Sequence, residues 1–351
     1  MHKKNILITG NMGYVGSVIV PYLKKKYENL NLIGFDAAYF AHSLTGADIV
    51  PEAYLSKQYF GDLRNFDKGI LNNVDGIVHL GAISNDPMGF NYEEVTKEIN
   101  LESSKGLIGA AIEMGVQHFV FASSCSIYGQ SEGASRKESD IQNPLTMYAR
   151  SKVAVEQYFE DLNLSEMCVT CLRFATACGM SPRLRLDLVL NDFVAGAILN
   201  KKISILSDGS PWRPLINVED MALAIEWALN RSSSDGGQIL RINTGSNGWN
   251  FQIHQLAQIV AEVIPGVAIS INKNAQLDKR SYKVDFTKFS ELAPSFNPQK
   301  NIRETIMELS EGLAKTISLN QDFRNSSLIR LKTLEMHIED RRLNKELRWT
   351  S

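Results

Sequence analysis

The chain has 351 residues, 44% of them hydrophobic and 22% charged, as is usual for a globular protein with room for two domains. Its 37 basic and 39 acidic residues nearly cancel, so no overall charge attracts nucleic acid or an anionic membrane. No apolar run approaches the roughly 20 residues of a membrane span. The first predicted strand begins so early that a signal peptide has no room, and we expect a cytoplasmic protein.

The first predicted elements are a short strand, a glycine-rich turn and a helix. Residues 6–8 form an apolar run typical of a buried parallel strand, and Gly10, Gly13 and Gly16 follow at equal spacing. Glycine permits a close approach of the backbone to a ligand, and the following helix directs its free N–H groups at a diphosphate. The spacing differs from the commoner G-x-G-x-x-G, so this turn alone is weak evidence, and a plain tight turn is the alternative.

The second predicted strand, residues 31–36, ends in an acidic residue. Asp36 follows Gly16 by about 20 residues, where a carboxylate can accept hydrogen bonds from the ribose hydroxyls of an adenosine. A carboxylate there would repel a 2′-phosphate, and Ala37 and Ala38 supply no cation to receive one. The sequence therefore favours NAD over NADP, with a simple turn residue as the alternative for Asp36.

Two further polar residues lie near predicted strand ends. Asp62 follows a short strand, where it can reach an adenine amino group or, alternatively, cap a helix. The strand at residues 76–82 ends in small residues, as is needed where a strand passes beneath a dinucleotide. His79 lies within that strand, and we interpret it as a packed residue rather than a base.

Strands and helices continue to alternate through a helix at residues 95–114 and a strand at residues 118–124. This alternation predicts an α/β fold, a Rossmann-type doubly wound parallel sheet with helices on both faces. Ligands of such sheets bind at the carboxyl ends of the strands. Asp36, Ala82 and Ser124 all fall at predicted strand ends, so we expect them at one edge of the sheet.

A predicted helix beyond residue 146 carries Tyr148 and Lys152 on one face, because residues at i and i+4 are neighbours on a helix. This pair is either an exposed Tyr–Lys contact or a general acid/base with its electrostatic partner. A tyrosine with its ordinary pKa of about 10 is a poor base at neutral pH. A nearby cation favours the phenolate form and so makes the second interpretation chemically reasonable.

The cysteines do not predict a metal or redox site. Cys168 and Cys171 have C-x-x-C spacing, but they lie in a predicted strand, where this separation places the two side chains on opposite faces. No second Cys or His pair lies nearby in the sequence. We interpret the cysteines as buried thiols and expect no metal.

The glycine spacing, Asp36, the Ser-Ser-Cys-Ser-Ile-Tyr-Gly segment at 123–129 and Tyr148-x-x-x-Lys152 together resemble an extended short-chain dehydrogenase/reductase. More narrowly, residues 5 to about 290 resemble the NAD-dependent nucleotide-sugar epimerase/dehydratase family. The resemblance implies NAD as cofactor and a nucleoside-diphosphate sugar as substrate. It makes Tyr148 the acid/base, Lys152 its electrostatic partner and Ser124 the hydrogen-bonding partner of the reacting sugar oxygen.

The resemblance also implies two sets of binding residues. Those expected to bind the cofactor are Gly10, Met12, Gly13, Tyr14, Val15, Gly16, Asp36, Asp62, Leu63, Leu80, Gly81, Ala82, Asn100, Ser123, Tyr148, Lys152 and Ala175. Those expected to bind the substrate are Ser84, Ser124, Thr146, Thr176, Asn191, Arg213 and Arg280. The two arginines would grip the substrate diphosphate, because the planar guanidinium binds oxygens in pairs; a surface salt bridge is the alternative for each.

Departures from the family pattern bear on the reaction. Cys125 and Ser126 occupy the positions at which 4,6-dehydratases carry acidic residues, so we do not expect dehydration across C5–C6. Thr176 stands where an Asn commonly binds substrate. We expect hydride transfer at C4 of the sugar, first as 4-epimerisation and alternatively as a 4-dehydrogenase or 4-ketoreductase. A non-catalytic dinucleotide-binding protein is less favoured, since Tyr148 and Lys152 are both present.

The expected organisation has three parts. Residues 1–175 form the NAD-binding domain, to which 214–244 return. Residues 176–213 and 245–318 form a smaller, nucleotide-sugar-binding lobe. Residues 319–351 form a helical extension with an amphipathic pattern, interpreted as a structural cap or subunit contact without chemistry.

Some finer expectations complete this picture. Residues 176–212 are expected to form a loop, a helix and a hairpin, and Asp220 to cap a helix at 221–229. Family resemblance further implies a homodimer, paired through helices near Asn100 and Tyr148, and a role in the biosynthesis of a surface polysaccharide or, alternatively, of a secondary metabolite.

Overall fold

The computed structural model of the protein describes residues 4–84, 86–131, 133–272, 281–316 and 322–350. The strands are β1 (Asn5–Thr9), β2 (Asn31–Asp36), β3 (Lys57–Phe60), β4 (Gly76–His79), β5 (His118–Ser124), β6 (Cys168–Phe174), β7 (Thr176–Cys178), β8 (Lys202–Ile205), β9 (Trp212–Asn217), β10 (Ile239–Thr244), β11 (Asn250–Gln252) and β12 (Ala268–Ile271). The α-helices are α1 (Gly16–Lys26), α2 (Asp86–Asn91), α3 (Glu93–Lys97), α4 (Ser103–Glu113), α5 (Met147–Tyr158), α6 (Val189–Asn200), α7 (Val218–Asn230), α8 (Ile253–Val263), α9 (Thr287–Leu292), α10 (Ile302–Thr316) and α11 (Arg330–Glu339). A π-helical turn, Glu98–Glu102, joins α3 to α4.

Within the described ranges, seven strands form a fully parallel sheet in the order β10-β6-β5-β4-β1-β2-β3. The order reverses between β1 and β4, and the crevice at such a switch point is where open α/β sheets bind ligands. The predicted doubly wound Rossmann-type sheet is confirmed. The chain leaves this sheet after β6 and returns to it with β10, which pairs with β6.

Two hydrophobic clusters cover the opposite faces of the sheet. On one face, Ile19 and Leu23 of α1 pack with α7 residues such as Ile225. On the other face, Leu107 of α4 and Val155 of α5 belong to a second cluster. Strand β4 is buried along its whole length, and its one polar side chain, His79, is hydrogen-bonded at both ring nitrogens. Because the helices cover both faces, the carboxyl edge of the sheet remains as the place for a site.

The smaller lobe contains two short sheets, and the hairpin predicted within residues 176–212 is wrong. β8 pairs in parallel with β12, which comes much later in the chain, while β9 lies between β7 and β11. Helix α6 ends at Asn200, and the left-handed backbone of the next residue, Lys201 (φ 49°), turns the chain directly into β8. The alternating side chains Ile203 and Ile205 are buried, as in an ordinary strand. The strand that pairs with β8, however, is not its neighbour in sequence.

The predicted capping role of Asp220 is also wrong. Helix α7 begins earlier than expected, and the side chain of Asn217 caps it by accepting a 2.8 Å hydrogen bond from the Glu219 N–H. Asp220 therefore lies in the first turn. There its carboxylate accepts hydrogen bonds from the backbone N–H groups of Gln299 and Lys300 and so joins α7 to the chain before α10.

The C-terminal extension folds back onto the loop that follows β2. Leu334 of α11 and Leu347 form a small hydrophobic cluster with Tyr39. The Trp349 indole donates a 2.6 Å hydrogen bond to the Ala37 carbonyl, and the Tyr39 hydroxyl donates to the Leu347 carbonyl. The amphipathic helix expected here is present.

None of the described helices has the length and apolar character needed to cross a bilayer.

Candidate active site

A cavity of about 720 Å³ lies along the carboxyl edge of the main sheet and continues into the smaller lobe. Its volume is in the usual range for ligand sites. Most of the predicted site residues line it: Gly10, Gly13, Tyr14, Val15, Gly16, Asp36, Asp62, Leu63, Leu80, Gly81, Ala82, Ser84, Ser123, Ser124, Thr146, Tyr148, Lys152, Ala175, Thr176 and Arg213.

The glycine turn forms one wall of the cavity. Gly10 has φ +73°, and a Cβ atom there would lie 2.6 Å from the backbone nitrogen of Gly81. A Cβ on Gly16 would lie 2.5 Å from Asn11. Only glycine fits these contacts, and they bring the N-terminus of α1 against the end of the sheet. The first turn of α1 contains no acidic residue, so its positive end is available to an anion.

Asp36 ends β2 at the same edge. Its carboxylate accepts hydrogen bonds from the Met12 N–H (2.9 Å) and the Ala38 N–H (2.7 Å), which link the glycine turn to the end of the strand. Loss of water raises the pKa of Asp36, and these two N–H groups oppose that rise. Met12 does not line the cavity; its backbone orients Asp36 instead.

Asp62 lines the cavity and also has the capping role given as its alternative. It accepts a 2.9 Å hydrogen bond from the Arg64 N–H at the start of a 3-10 turn and forms a salt bridge with the Arg64 guanidinium. Burial would raise the pKa of Asp62, but the Arg64 bonds hold it below its usual value. A contact between Asp62 and adenine stays a prediction.

Two predicted ligands lie behind the cavity wall. The amide of Asn100 is bonded at both ends to the backbone of Ile83, so it fixes the loop after β4. Asn191 donates to the Arg185 carbonyl and accepts from the Gly179 N–H. Neither side chain lines the cavity, and each supports its wall instead. Arg280 falls outside the described residues.

His79 packs within β4, in agreement with the role expected from its place in a predicted strand. Its ring nitrogens bond the hydroxyls of Thr9 and Ser104 at 2.6 and 2.9 Å. Burial, helped by the charge of Lys152, lowers the pKa of His79 to about 3. The imidazole is therefore neutral at physiological pH and is fully used by its two partners.

Tyr148 and Lys152 lie together at the start of α5. Thr146 caps this helix by accepting a hydrogen bond from the Ala149 N–H, which places Tyr148 in the first turn. The Lys152 Nζ lies 5.5 Å from the centre of the Tyr148 ring and 4.6 Å from that of Phe121. The predicted shared face is thus present. Burial lowers the pKa of Lys152 to about 8, although Glu156 partly opposes this shift.

A buried ion pair holds this part of α5 against the sheet. Glu156 accepts hydrogen bonds from the Arg173 guanidinium, the shortest at 2.7 Å, and both side chains are only 1% exposed. Ser123, a predicted cofactor ligand, donates its hydroxyl to the same carboxylate. The pair therefore connects α5 to β5 and β6.

The segment after β5 presents hydroxyl groups and no acid to the cavity. Ser124 Oγ accepts a 3.1 Å hydrogen bond from the Ser126 N–H, so its own proton is free to be donated to a ligand. Cys125 points into the core, where its thiol donates to the Arg173 carbonyl and burial raises its pKa. A group in that state does not serve as an acid or base in the cavity.

Arg185 and Asp187 are charged residues of the cavity that carried no predicted role. Arg185 pairs with Asp187 and donates a 2.9 Å hydrogen bond to Ser84 Oγ. Burial alone would lower the pKa of Arg185, but Asp187 and, more weakly, Tyr148 raise it. The signal was the alternation of charged and apolar residues from Arg183 to Asp187, of which Leu184 and Leu186 are buried in the core.

The far end of the cavity belongs to the smaller lobe. Arg213 extends from β9 with its guanidinium 5.9 Å from the centre of the Tyr282 ring, and one of its nitrogens donates to the Trp212 carbonyl. Thr176 of β7 lines the same region. Arg213 therefore belongs to the small sheet of β7, β9 and β11, whereas the glycine turn belongs to the Rossmann sheet.

All four cysteines are free and buried, as predicted. In the part of the chain that the structure describes, no group of three or more His, Cys, Asp or Glu residues is arranged to hold a metal ion. Cys168 and Cys171 lie on β6, and each packs within the protein.

The C-terminal extension also reaches the cavity. Arg324, Ile329 and Arg330 line it beside the residues of the Rossmann sheet. This extension was expected to be a cap or subunit contact without chemistry. The sequence contained its amphipathic pattern but no local signal for where the helix docks, since its partners lie near residues 37–40.

Comparison with known proteins agrees with this geometry. The family model described as "NAD dependent epimerase/dehydratase family" matches residues 6–243. A UDP-glucose 4-epimerase of Halalkalibacterium halodurans is 26% identical over 281 residues, covering 74% of this chain and 80% of the relative. A mouse dTDP-D-glucose 4,6-dehydratase is 24% identical over 266 residues, covering 74% and 73%.

Solved structures give the same fold. MoeE5 in complex with UDP-glucose and NAD has a TM-score of 0.74 and 24% identity, covering 88% of this chain and 98% of that protein. The NAD-dependent NDP-hexosamine 5,6-dehydratase TunA has a TM-score of 0.78 and 20% identity, covering 91% and 100%. The glycine turn, the unopposed N-terminus of α1 and Asp36 fit a dinucleotide. The chain belongs to the NAD dependent epimerase/dehydratase family of extended short-chain dehydrogenases/reductases and uses NAD as its cofactor.

Proposed function

We propose that the protein interconverts nucleoside-diphosphate sugars epimeric at C4 through reversible oxidation at that carbon. One observation supports this above the others: Tyr148, Lys152 and Ser124 line a single cavity with the glycine turn at one end and Arg213 at the other. A dinucleotide on the Rossmann side and a sugar diphosphate on the lobe side would meet at Tyr148.

Bound NAD supplies the group that accepts hydrogen from the sugar C4 and returns it. Tyr148 takes the proton of the 4-hydroxyl as the carbonyl forms and gives it back on reduction. The charge of Lys152 favours the phenolate form of Tyr148 during the first step. Ser124 donates its free hydroxyl proton to the reacting oxygen and holds it in place. Re-reduction from the opposite face of the sugar inverts C4.

The residues beside Ser124 argue against 4,6-dehydration. That reaction needs an acid and a base positioned to remove water across C5–C6. Cys125 faces the core, and among the described residues no carboxylate is hydrogen-bonded to Ser126 to activate its hydroxyl. Arg213 remains our proposed contact for the substrate diphosphate. A relative described as a UDP-glucose 4-epimerase supports the reaction class.

The catalytic assignment is tested by replacing Tyr148 with Phe. We expect turnover on a panel of UDP and dTDP sugars to fall by about 10²- to 10⁴-fold, the usual contribution of a general acid/base. Affinity for NAD should stay within a few-fold, because the ring is kept. Tyr158→Phe on the same helix is the matched control and should leave turnover unchanged. Equal activity of the two variants would refute the assignment.

A second measurement separates an epimerase from the alternative 4-dehydrogenase or 4-ketoreductase. Sugar products are followed by chromatography while the absorbance of the reduced nicotinamide is recorded. Epimerisation interconverts two sugars with no net change in absorbance. A dehydrogenase or reductase instead changes the absorbance in proportion to product, which would overturn the proposal in favour of the alternative.

We also propose a homodimer, formed through α4 and α5. Gly106 and Gly109 of α4 leave open space where side chains would otherwise project, so a second helix can approach closely. Light scattering after gel filtration should give twice the 39.2 kDa chain mass. Replacing Gly109 with Arg should yield monomers, whereas a monomeric parent protein would rule out this arrangement.

A further inference from the structure

Arg330, at the start of the C-terminal helix, lies against the cofactor half of the cavity. Its Nη2 donates a 2.9 Å hydrogen bond to the Arg183 carbonyl. The Arg183 side chain in turn donates to Ser17 Oγ, in the first turn of α1. The Arg330 guanidinium also lies 4.6 Å from the centre of the Phe40 ring, just after β2. These contacts place it between the N-terminus of α1 and the loop that follows Asp36.

Arg330 differs from its neighbouring arginines in lacking an anionic partner. Arg183 is paired with Glu52, and Arg185 with Asp187. Among the described residues no carboxylate lies within 4.0 Å of Arg330, and its Nη1 is buried without a hydrogen-bond partner. The side chain is 1% exposed. Burial, reinforced by Arg185, lowers the pKa of Arg330 to about 9, and the more distant carboxylates of Asp187 and Asp36 oppose this shift only in part.

A buried cation without a counter-charge is unfavourable unless something supplies the missing anion. The cavity that Arg330 lines already has the features of a diphosphate site, namely the glycine turn and the unopposed end of α1. A guanidinium is well suited to diphosphate oxygens, because its donors bind them in pairs. Among the described residues, none accepts a hydrogen bond from Arg330 Nη1 and no carboxylate lies within ion-pair distance of it, so a ligand anion can take that place.

We propose that Arg330 is a cofactor-binding residue, which donates from Nη1 to the diphosphate of the dinucleotide so that the C-terminal extension closes one side of the NAD site. The family match ends at residue 243, so this contribution comes from a part of the chain outside it. The inference rests on NAD binding and not on the reaction proposed above.

The diphosphate of the sugar substrate is the other possible source of the same anion. The contacts of Arg330 are with Arg183 and Phe40, beside the Rossmann sheet, whereas Arg213 lies in the smaller lobe. We therefore assign Arg330 to the cofactor. The two sources are separated by titrating the apo protein with NAD, with ADP-ribose and with UDP in separate experiments.

The test compares Arg330→Met with Lys332→Met, an equal loss of charge on the same helix at a side chain that is 44% exposed. Calorimetric titration of apo R330M should show NAD and ADP-ribose bound about tenfold to a hundredfold more weakly, the value of a charge-assisted hydrogen bond. Adenosine, which has no phosphate, and UDP should bind within twofold of the parent. K332M should match the parent for every ligand.

Two results would overturn the proposal. One is unchanged affinity of R330M for NAD, with or without a lower melting temperature, which would make Arg330 purely structural. The other is a weaker affinity for UDP alone, which would assign it to the substrate. If R330M does not fold, Arg330→Gln and Arg330→Lys replace it. Only the lysine variant should then keep most of the ADP-ribose affinity, and equal affinities of the two would contradict the assignment.

Discussion

The Lys152 ammonium group lies near the rings of Phe121 and Tyr148, and its burial makes protonation unfavourable in the folded protein. Its pKa falls from the ordinary 10.5 to about 8. Between these values the unfolded chain binds the proton and the folded protein does not, so the free energy of unfolding rises with pH. Below pH 8 both states bind the proton and the destabilisation is constant.

Replacing Lys152 with Met removes this effect while keeping a side chain of similar length. We expect the apo variant to be more stable than the parent at pH 7, by at most about 3 kcal/mol. The difference should shrink as the pH rises from about 8 to 10.5. Urea unfolding at several pH values measures it. Lys68→Met, at an exposed salt bridge, should show no such trend, and a pH-independent difference for K152M would contradict the explanation.

At the scale of elements, helix α5 keeps its position through one buried ion pair with β6. Glu156 and Arg173 are both 1% exposed, and Glu156 also accepts from Ser123 on β5. Such a pair is itself weak evidence for stability, but breaking it leaves an uncompensated buried charge. Removing the Glu156 charge would leave Arg173 without its ion-pair partner and Lys152 without a nearby negative charge.

We therefore expect Glu156→Gln to lower the free energy of unfolding by about 3–5 kcal/mol. The matched control is Glu262→Gln, which breaks the exposed pair with Arg303, where Glu262 is 57% exposed. That change should cost less than about 1 kcal/mol. Both are measured by urea unfolding at neutral pH. Similar losses in the two variants would show that the buried pair does not anchor α5.

At the scale of the whole molecule, local patterns predicted the Rossmann sheet because strands such as β1 and β5 are apolar runs that alternate with helices along the chain. The glycine turn, Asp36, Tyr148 and Lys152 were predictable for the same reason, since each has a fixed place within a local strand–helix unit. The parallel pairing of β8 with β12 was not, because it depends on residues distant in the chain. The position of Arg330 at the cavity was not predictable for the same reason, because its partners Arg183 and Phe40 lie far from it in sequence.

This long-range docking predicts that the C-terminal extension opens as a unit of its own. Leu334 of α11 is fully buried against the cluster that includes Tyr39 and Leu347. Replacing Leu334 with Ala should weaken that packing by about 2–5 kcal/mol. Hydrogen exchange should then accelerate in residues 330–350 and stay slow in the central strands β1 and β4.

NAD should oppose this opening if the extension closes the cofactor site. Saturating NAD stabilises only molecules that hold the site intact, by about 2.7 kcal/mol at a hundredfold excess over the dissociation constant. Exchange in residues 330–350 of L334A should therefore slow when NAD is added, together with exchange in the glycine turn. Met307→Ala, at an exposed position of α10, should change neither rate. Uniformly faster exchange throughout L334A would mean that the extension and the Rossmann sheet unfold together, not that the extension opens alone.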